Sequence, residues 1–337
     1  MRERRSAVLG FTGDLVLGRG VNERLQSGPP VQDIWGDLRP AMLAADAMIG
    51  NLEGPITAHR TRWHGIKAFY FRADPAPAIA ALQAGNYRCL ALANNHMLDF
   101  AAEGLLDTRR HLAEAGIACA GAGADARQAA APAMFEAGGL RIGFASITNT
   151  VRSFAARPDR PGTNYWKIRT DRTNLERLAT VVHGLRRDGA DVVVLSIHWG
   201  PNYRWWPPQR YRRFARQAIE LGVDIVHGHS AHVLQAVEYH GKGLILYDTG
   251  DYMDDFLAGP GFRSDRSFLF LVEAGPGHPP RLRMIPARLT RAAVNVATGR
   301  EARIIRSQMI ARCRGYAVEI READGELVAR APGDLGG

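Results

Sequence analysis

The stretch QRYRRFARQAIELGVDIVHGHSAH, residues 209–232, decides the fold by the way it divides. Its first fourteen residues carry a helical pattern, and VDIV (223–226) follows as a short apolar run of strand character. The strand run ends directly in HGHSAH, which puts three histidines into the seven positions 226–232. Helix, strand and polar turn in that order form one unit of an alternating α/β chain.

Outward from this unit the alternation continues. AVLGF (7–11), AMIG (47–50), RCLALA (88–93), RIGFASI (141–147), DVVVLSI (191–197), GLILYD (243–248) and SFLFLVEA (267–274) read as strands. PAMLAADA (40–47), PAPAIAALQAG (75–85), GLLDTRRHLAEAGI (104–117) and RTNLERLATVVHGLRRDGA (172–190) read as helices. Crossovers of this kind place helices on the faces of a sheet, so the fold class is α/β and layered. Residues 151–166, rich in Pro, Gly and polar side chains, read as a long loop. After residue 276, RLRMIPARL (281–289) and YAVEIREADGELVARA (316–331) predict peripheral antiparallel strands, with a frayed end at PGDLGG (332–337). The expected organisation is one domain over residues 1–300, with 301–337 as its C-terminal strand extension.

Composition narrows the function classes. The chain has 337 residues, 46% of them apolar, which fits a soluble globular protein with a full core. Its net charge of +9 is nearly all arginine, and the arginines are scattered in short pairs such as Arg186-Arg187. No block of like charges marks a nucleic-acid-binding tail, so an anionic small substrate is the better reading of the charge. The three cysteines, Cys89, Cys119 and Cys313, lie far apart and suggest neither a disulfide framework nor a zinc knuckle. The opening MRERRSAVLGFTGDLVLGRG is too short in apolar residues for a signal or a membrane span, and the expected location is cytoplasmic.

The residues that follow each strand carry the chemistry. Asp14 ends the first strand, Asn51 and Glu53 follow the second, and Asn94, Asn95, His96 and Asp99 follow the third. His198 ends DVVVLSI, and His227, His229 and His232 follow VDIV. Ligands of open α/β sheets bind outside the carboxyl ends of the strands. Each turn taken singly is as well explained by an ordinary polar turn. Five strand exits choosing carboxylate, amide and imidazole groups together point to a metal site, with Mn, Fe, Zn or Mg as the fitting ions.

Read together, TGDLVLGR (12–19), GNLEGPIT (50–57), KAFYFRADP (67–75), LANNHMLDF (92–100), SIHWGPNY (196–203) and the run from Asp224 to Asp251 resemble the CapA-type poly-γ-glutamate biosynthesis family. That family belongs to the calcineurin-like metallophosphoesterase superfamily. The resemblance implies a four-layer α-β-β-α sandwich with a centre for two divalent ions at the strand rim. Carried over by position, Asp14, Glu53, Asn95, His198, His229 and His232 become metal ligands, with His227 a further candidate. His96 becomes the group that steadies the transition state without binding metal. Two departures stand out: the histidine usual two residues after the first Asp is Val16, and the usual G-H-x-H is GHSAH, with its histidines three apart.

Asn51, Asn94, Lys67 and Arg72 are the expected substrate contacts, the last two as fixed positive charge. Asp248 and Asp251 are expected to orient a ligand histidine from behind. The implied activity is that of a metal-dependent hydrolase on a phosphoester or a γ-glutamyl, amide-type anionic substrate. The competing reading is a non-catalytic protein that binds metal or poly-γ-glutamate within a polymer-synthesis pathway.

Overall fold

The computed structural model describes residues 6–28, 30–255 and 261–333; the expected frayed end at 334–337 lies outside them. Among the described residues the strands form a ten-stranded sheet, a six-stranded sheet and a two-stranded ladder. The large sheet has a parallel half, Ala7–Leu15, Ala47–Leu52, Tyr87–Ala91 and Ala118–Ala120. It continues on the other side of Ala7–Leu15 with antiparallel strands Arg266–Ala274, Arg281–Thr290, Glu326–Arg330 and Glu319–Ala323. The small sheet is built on parallel strands Leu140–Thr148, Val192–His198, Ile225–His229 and Gly243–Leu246, with an antiparallel strand at each edge.

Side-chain alternation shows why the sheets stack. In the second and third strands Ala47, Ile49, Cys89 and Ala91 face one core, while Met48 and Leu90 face the other. The first core lies between the sheets, where Leu9, Phe11 and Ile49 meet Phe144, Val194 and Ile225, and it continues to helices Arg172–Arg187 and Gln209–Glu220. The second core joins the outer face of the large sheet to helices Pro75–Ala84 and Ala101–Glu114 through Leu82, Leu105 and Leu112. Parallel strands buried on both faces need apolar residues throughout, which is why they read as continuous runs. The result is a four-layer α-β-β-α sandwich, the architecture the family resemblance implied.

Two expectations change in detail. The segment after residue 297 does not run directly into strands: it opens with a helix, Gly299–Arg312, that buries Ala302, Ile305 and Met309. Their spacing of three and four residues is helical, a period hidden among the arginines. The hairpin Glu319–Ala323 and Glu326–Arg330 then joins the large sheet as expected. The 151–166 loop keeps its irregular course but places Gly162–Thr163 against Ala122–Gly123 and buries Phe154 and Trp166.

Gly228, between His227 and His229 in the Ile225–His229 strand, shows how tightly the rim is built. A Cβ there would lie 2.0 Å from the Tyr247 carbonyl oxygen, which already accepts the Trp199 indole N–H. Gly228→Ala must move backbone rather than a side chain, and the expected loss is about 1–3 kcal/mol of stability. Denaturant unfolding of the variant against wild type checks this; an unchanged midpoint would contradict it.

Candidate metal centre

The parallel strands of both sheets finish at one rim, and ladder register aligns their last residues. Asp14 pairs with Asn51 on one side and Asp251 on the other, while His198 pairs with His229 in the small sheet. Asp14 therefore stands where the two sheets meet, and its two oxygens face different groups. Its Oδ1 lies 3.8 Å from His198 Nδ1 and 3.7 Å from His229 Nδ1, and those two nitrogens are 2.8 Å apart. Its Oδ2 lies 3.3 Å from His232 Nδ1, which is 2.8 Å from Asp251 Oδ1. Two ligand-like groups thus share one carboxylate: Asp14, His198 and His229, and Asp14, His232 and Asp251.

Glu53 sits between these groups and the third strand's exit. It is fully buried, yet among the described residues neither carboxylate oxygen has a hydrogen-bond partner. Its Oε1 is 3.8 Å from both His198 Nε2 and His96 Nε2. Burial, and then the nearby Asp14 charge, push the Glu53 carboxyl well above its usual range. Burial raises Asp14 to about 7 as well. Buried carboxylates without partners are expensive in a protein interior. A cation shared among them removes that cost, so the residues present fit a divalent metal. Burial also pushes His198 and His229 well below the usual imidazole range, holding them in the neutral form a metal requires.

His96 lies beside the groups rather than within them. Its Nδ1 is 2.6 Å from Asp99 Oδ2, its ring stacks on Phe71 with centroids 4.0 Å apart, and burial lowers its pKa to about 4. With Nδ1 committed to Asp99, Nε2 is the atom turned toward Glu53. Asn95 reaches the centre by placing its Oδ1 2.6 Å from His198 Nε2.

Comparisons with known proteins identify the family. The family described as "Bacterial capsule synthesis protein PGA_cap" matches residues 8–256, a span that includes each of the groups above. The chain belongs to that family. A PGA_cap relative in Mycobacterium tuberculosis, named "Probable polyglutamine synthesis accessory protein", is 34% identical over 95% of this chain and 87% of its own length. The "PGA biosynthesis protein CapA" of Bacillus subtilis is 28% identical over 73% of this chain and 62% of that protein. Among solved structures, a calcineurin-like phosphoesterase from Bacillus subtilis aligns over 92% of this chain and 97% of its own at 10% identity and a TM-score of 0.40, too loose a match to build on.

Several expected site residues of this PGA_cap protein are placed otherwise than the sequence suggested. Asn51 and Asn94, expected at the substrate, are fully buried and brace the rim. Asn51 Nδ2 donates to Asp14 Oδ1, Asn94 Nδ2 donates to Asn51 Oδ1, and Asn94 Oδ1 accepts the His96 backbone N–H. Lys67 is spent on an ion pair with Asp99 and a 2.5 Å hydrogen bond to the Asn95 carbonyl. Arg72 donates to the Thr57 carbonyl and to Asp74, which turns its Nη1 away from the centre. Asp248 holds no histidine; it accepts the backbone N–H groups of Ala231 and Gly250 and so fixes the turn that carries His232. Asp251 does hold His232, but it stands among the ligand-like groups and not behind them.

His227 faces away from the carboxylates. It lies between the sheets, with its ring 5.1 Å from Phe11 and its Nε2 3.0 Å from the Thr12 carbonyl. Sequence reasoning missed Ser196, Arg19 and Tyr203. Arg19, paired with Asp254 and Asp255, lies over the Phe71 ring that backs His96. Tyr203 lies 6.0 Å from the His232 ring and has φ +59°, as unusual for a bulky side chain as the +50° of Arg19. Positive φ has no sequence signal in residues of this type.

The buried charge gives a pH signature. The folded-state pKa of Asp14, about 7, exceeds its ordinary 3.8 in the metal-free protein. Its contribution to stability is therefore complete below the lower value and lost as pH rises through the upper one. Asn in its place cannot ionise. With a chelator present, Asp14→Asn should gain stability relative to wild type between about pH 5 and about pH 8. Denaturant titrations at both values measure this, and a pH-independent difference would count against it.

Proposed function

We propose that this protein is a metal-dependent hydrolase, acting on an anionic substrate of phosphoester or γ-glutamyl amide type. The observation that carries the reading is the Glu53 carboxylate, buried and unpartnered between two groups that share Asp14. In this reading Asp14, Glu53, Asn95, His198, His229, His232 and Asp251 hold two divalent ions, with manganese the first to try. Such ions would lower the pKa of water into the neutral range and neutralise charge on the oxygens of the phosphoryl or carbonyl group under attack.

The remaining steps belong to the chain's own residues. Asp99 holds the His96 ring by accepting a hydrogen bond from its Nδ1–H, leaving Nε2 to accept a proton from water and return it to the leaving group. Phe71 on the ring face keeps the imidazole aligned and limits water around it. Lys67, bonded to both Asp99 and the Asn95 carbonyl, fixes the spacing between His96 and the His198 partner. With Lys67 and Arg72 both paired, substrate charge is met mainly at the ions, which suits a small anionic group such as a phosphoryl or a glutamyl carboxylate.

The word "accessory" in the mycobacterial relative's name favours a second reading, in which the centre binds metal and a glutamate polymer without turnover. No described helix is long and apolar enough to cross a membrane. The three free cysteines suit a reducing compartment, so we place the protein's work in the cytoplasm.

Metal analysis and assay test both readings together. Manganese at 100 times its dissociation constant should stabilise wild type by about 2.7 kcal/mol. Asp14→Asn and His198→Ala should abolish that gain. Glu53→Gln should be more stable than wild type without metal and yet bind metal worse, because the repulsion and the binding energy have one source. Hydrolysis of an aryl phosphate or a γ-glutamyl dipeptide by the loaded protein decides for the enzyme. Loading without turnover of either decides for the binding role, and a wild type that takes up no metal refutes both.

A further inference from the structure

His227 has so far no part in the centre, although it is fully buried two residues before His229. Its hydrogen bonds leave no choice of proton position. Nε2 lies 3.0 Å from the Thr12 carbonyl oxygen, which can only accept, so Nε2 carries the ring proton. A neutral imidazole has one such proton, and Nδ1 is therefore bare. The Ser196 hydroxyl lies 3.2 Å from that Nδ1 and 2.9 Å from His229 Nε2. It has a single hydrogen to give. Turned to His229 Nε2, that hydrogen would leave an Nδ1–H of His229 to donate to His198 Nδ1. Turned to His227 Nδ1, which can only accept, it leaves the hydroxyl lone pair facing His229, which then carries its proton on Nε2 and keeps Nδ1 bare. That Nδ1 is the atom 3.7 Å from Asp14 Oδ1 and 2.8 Å from His198 Nδ1.

His198 reaches the same state from the opposite side. Its Nε2 donates to Asn95 Oδ1 at 2.6 Å, which leaves its Nδ1 bare as well. Two bare nitrogens 2.8 Å apart, with a carboxylate oxygen behind them, repel unless a cation lies among them, so this proton order belongs to the metal-loaded centre.

We propose that His227 is a positioning residue which, through Ser196, fixes the tautomer of His229 so that its Nδ1 lone pair faces the metal position. The proposal rests on the metal reading of the site, because a bound cation is what holds the two bare nitrogens together. It accounts for a third histidine in HGHSAH that touches no carboxylate. It also ties the small sheet's ligand to the first strand of the large sheet, because the proton order begins at the Thr12 carbonyl, two residues before Asp14.

The test begins with histidine-labelled protein loaded with zinc, a diamagnetic ion, and read by nitrogen NMR. His227 and His229 should both appear as Nε2–H tautomers. His227→Phe keeps a ring against Phe11 but accepts no hydrogen bond; its Ser196 hydrogen is free to turn to His229, which should switch to the Nδ1–H form. Manganese affinity, measured by calorimetry, should fall roughly 10–100-fold, the usual size of losing such a supporting partner. His227→Gln can donate to Thr12 and accept from Ser196, and should keep both the tautomer and most of the affinity. An Nδ1–H tautomer for His229 in wild type overturns the proposal, and that measurement stands even where the Phe variant fails to fold. So does a folded Phe variant with unchanged tautomer and affinity. Wild type that takes up neither zinc nor manganese would instead sink the metal reading, and the proposal with it.

Discussion

Everything at the rim answers to one constraint: two carboxylates, Asp14 and Glu53, are wholly buried and face each other's charge. In water they would be harmless; between two sheets they are not. The fold tolerates them because hydrogen bonds are spent on Asp14 and none on Glu53. Asn51 and the Ser230 backbone N–H reach Asp14, whereas Glu53 is left to whatever cation the site takes. That asymmetry makes Glu53 the most informative residue of the centre, since a side chain kept only for structure would have been given a partner.

Placing such groups close together strains the backbone around them. Arg19, Tyr203, Ser230 and His232, all with positive φ, lie at this rim, the last two inside the turn that follows Ile225–His229. Residues in that region persist only where surrounding contacts hold them. Here Asp248 clamps the turn through Ala231, and Tyr203 is anchored by its N–H to the Ala231 carbonyl. Rigidity comes from the parallel strands, and the strain is confined to the short exits that aim the side chains.

This division explains what could be read in the sequence. The strand runs and the polar residues after them are local signals, so the layered α/β class and the converging Asp14, Glu53, Asn95, His198, His229 and His232 were visible in order along the chain. The two stacked sheets came only from the family resemblance, because no local pattern says which face of a buried strand meets another sheet. The pairing of Lys67 with Asp99, of Arg72 with Asp74, and of Asp251 with His232 depends on side chains 32, 2 and 19 residues apart. Charge alone could not tell a substrate contact from a brace. The Gly299–Arg312 helix was hidden for a different reason: its three buried positions are diluted by charged and polar residues, with Arg300 and Arg303 exposed to solvent.

The two departures from the family pattern meet at one carboxylate. The resemblance implies an imidazole two residues after Asp14, and a buried valine, Val16, stands there just past the end of the strand. The GHSAH turn brings an imidazole to Asp14 from the other sheet. Its extra residue and the φ of +106° at Ser230 carry His232 over the rim, where its Nδ1 meets Asp14 Oδ2 and Asp251 Oδ1. Both sheets must then hold their alignment for the second group to exist, and the coupling between Thr12, His227 and Ser196 lies across that same seam.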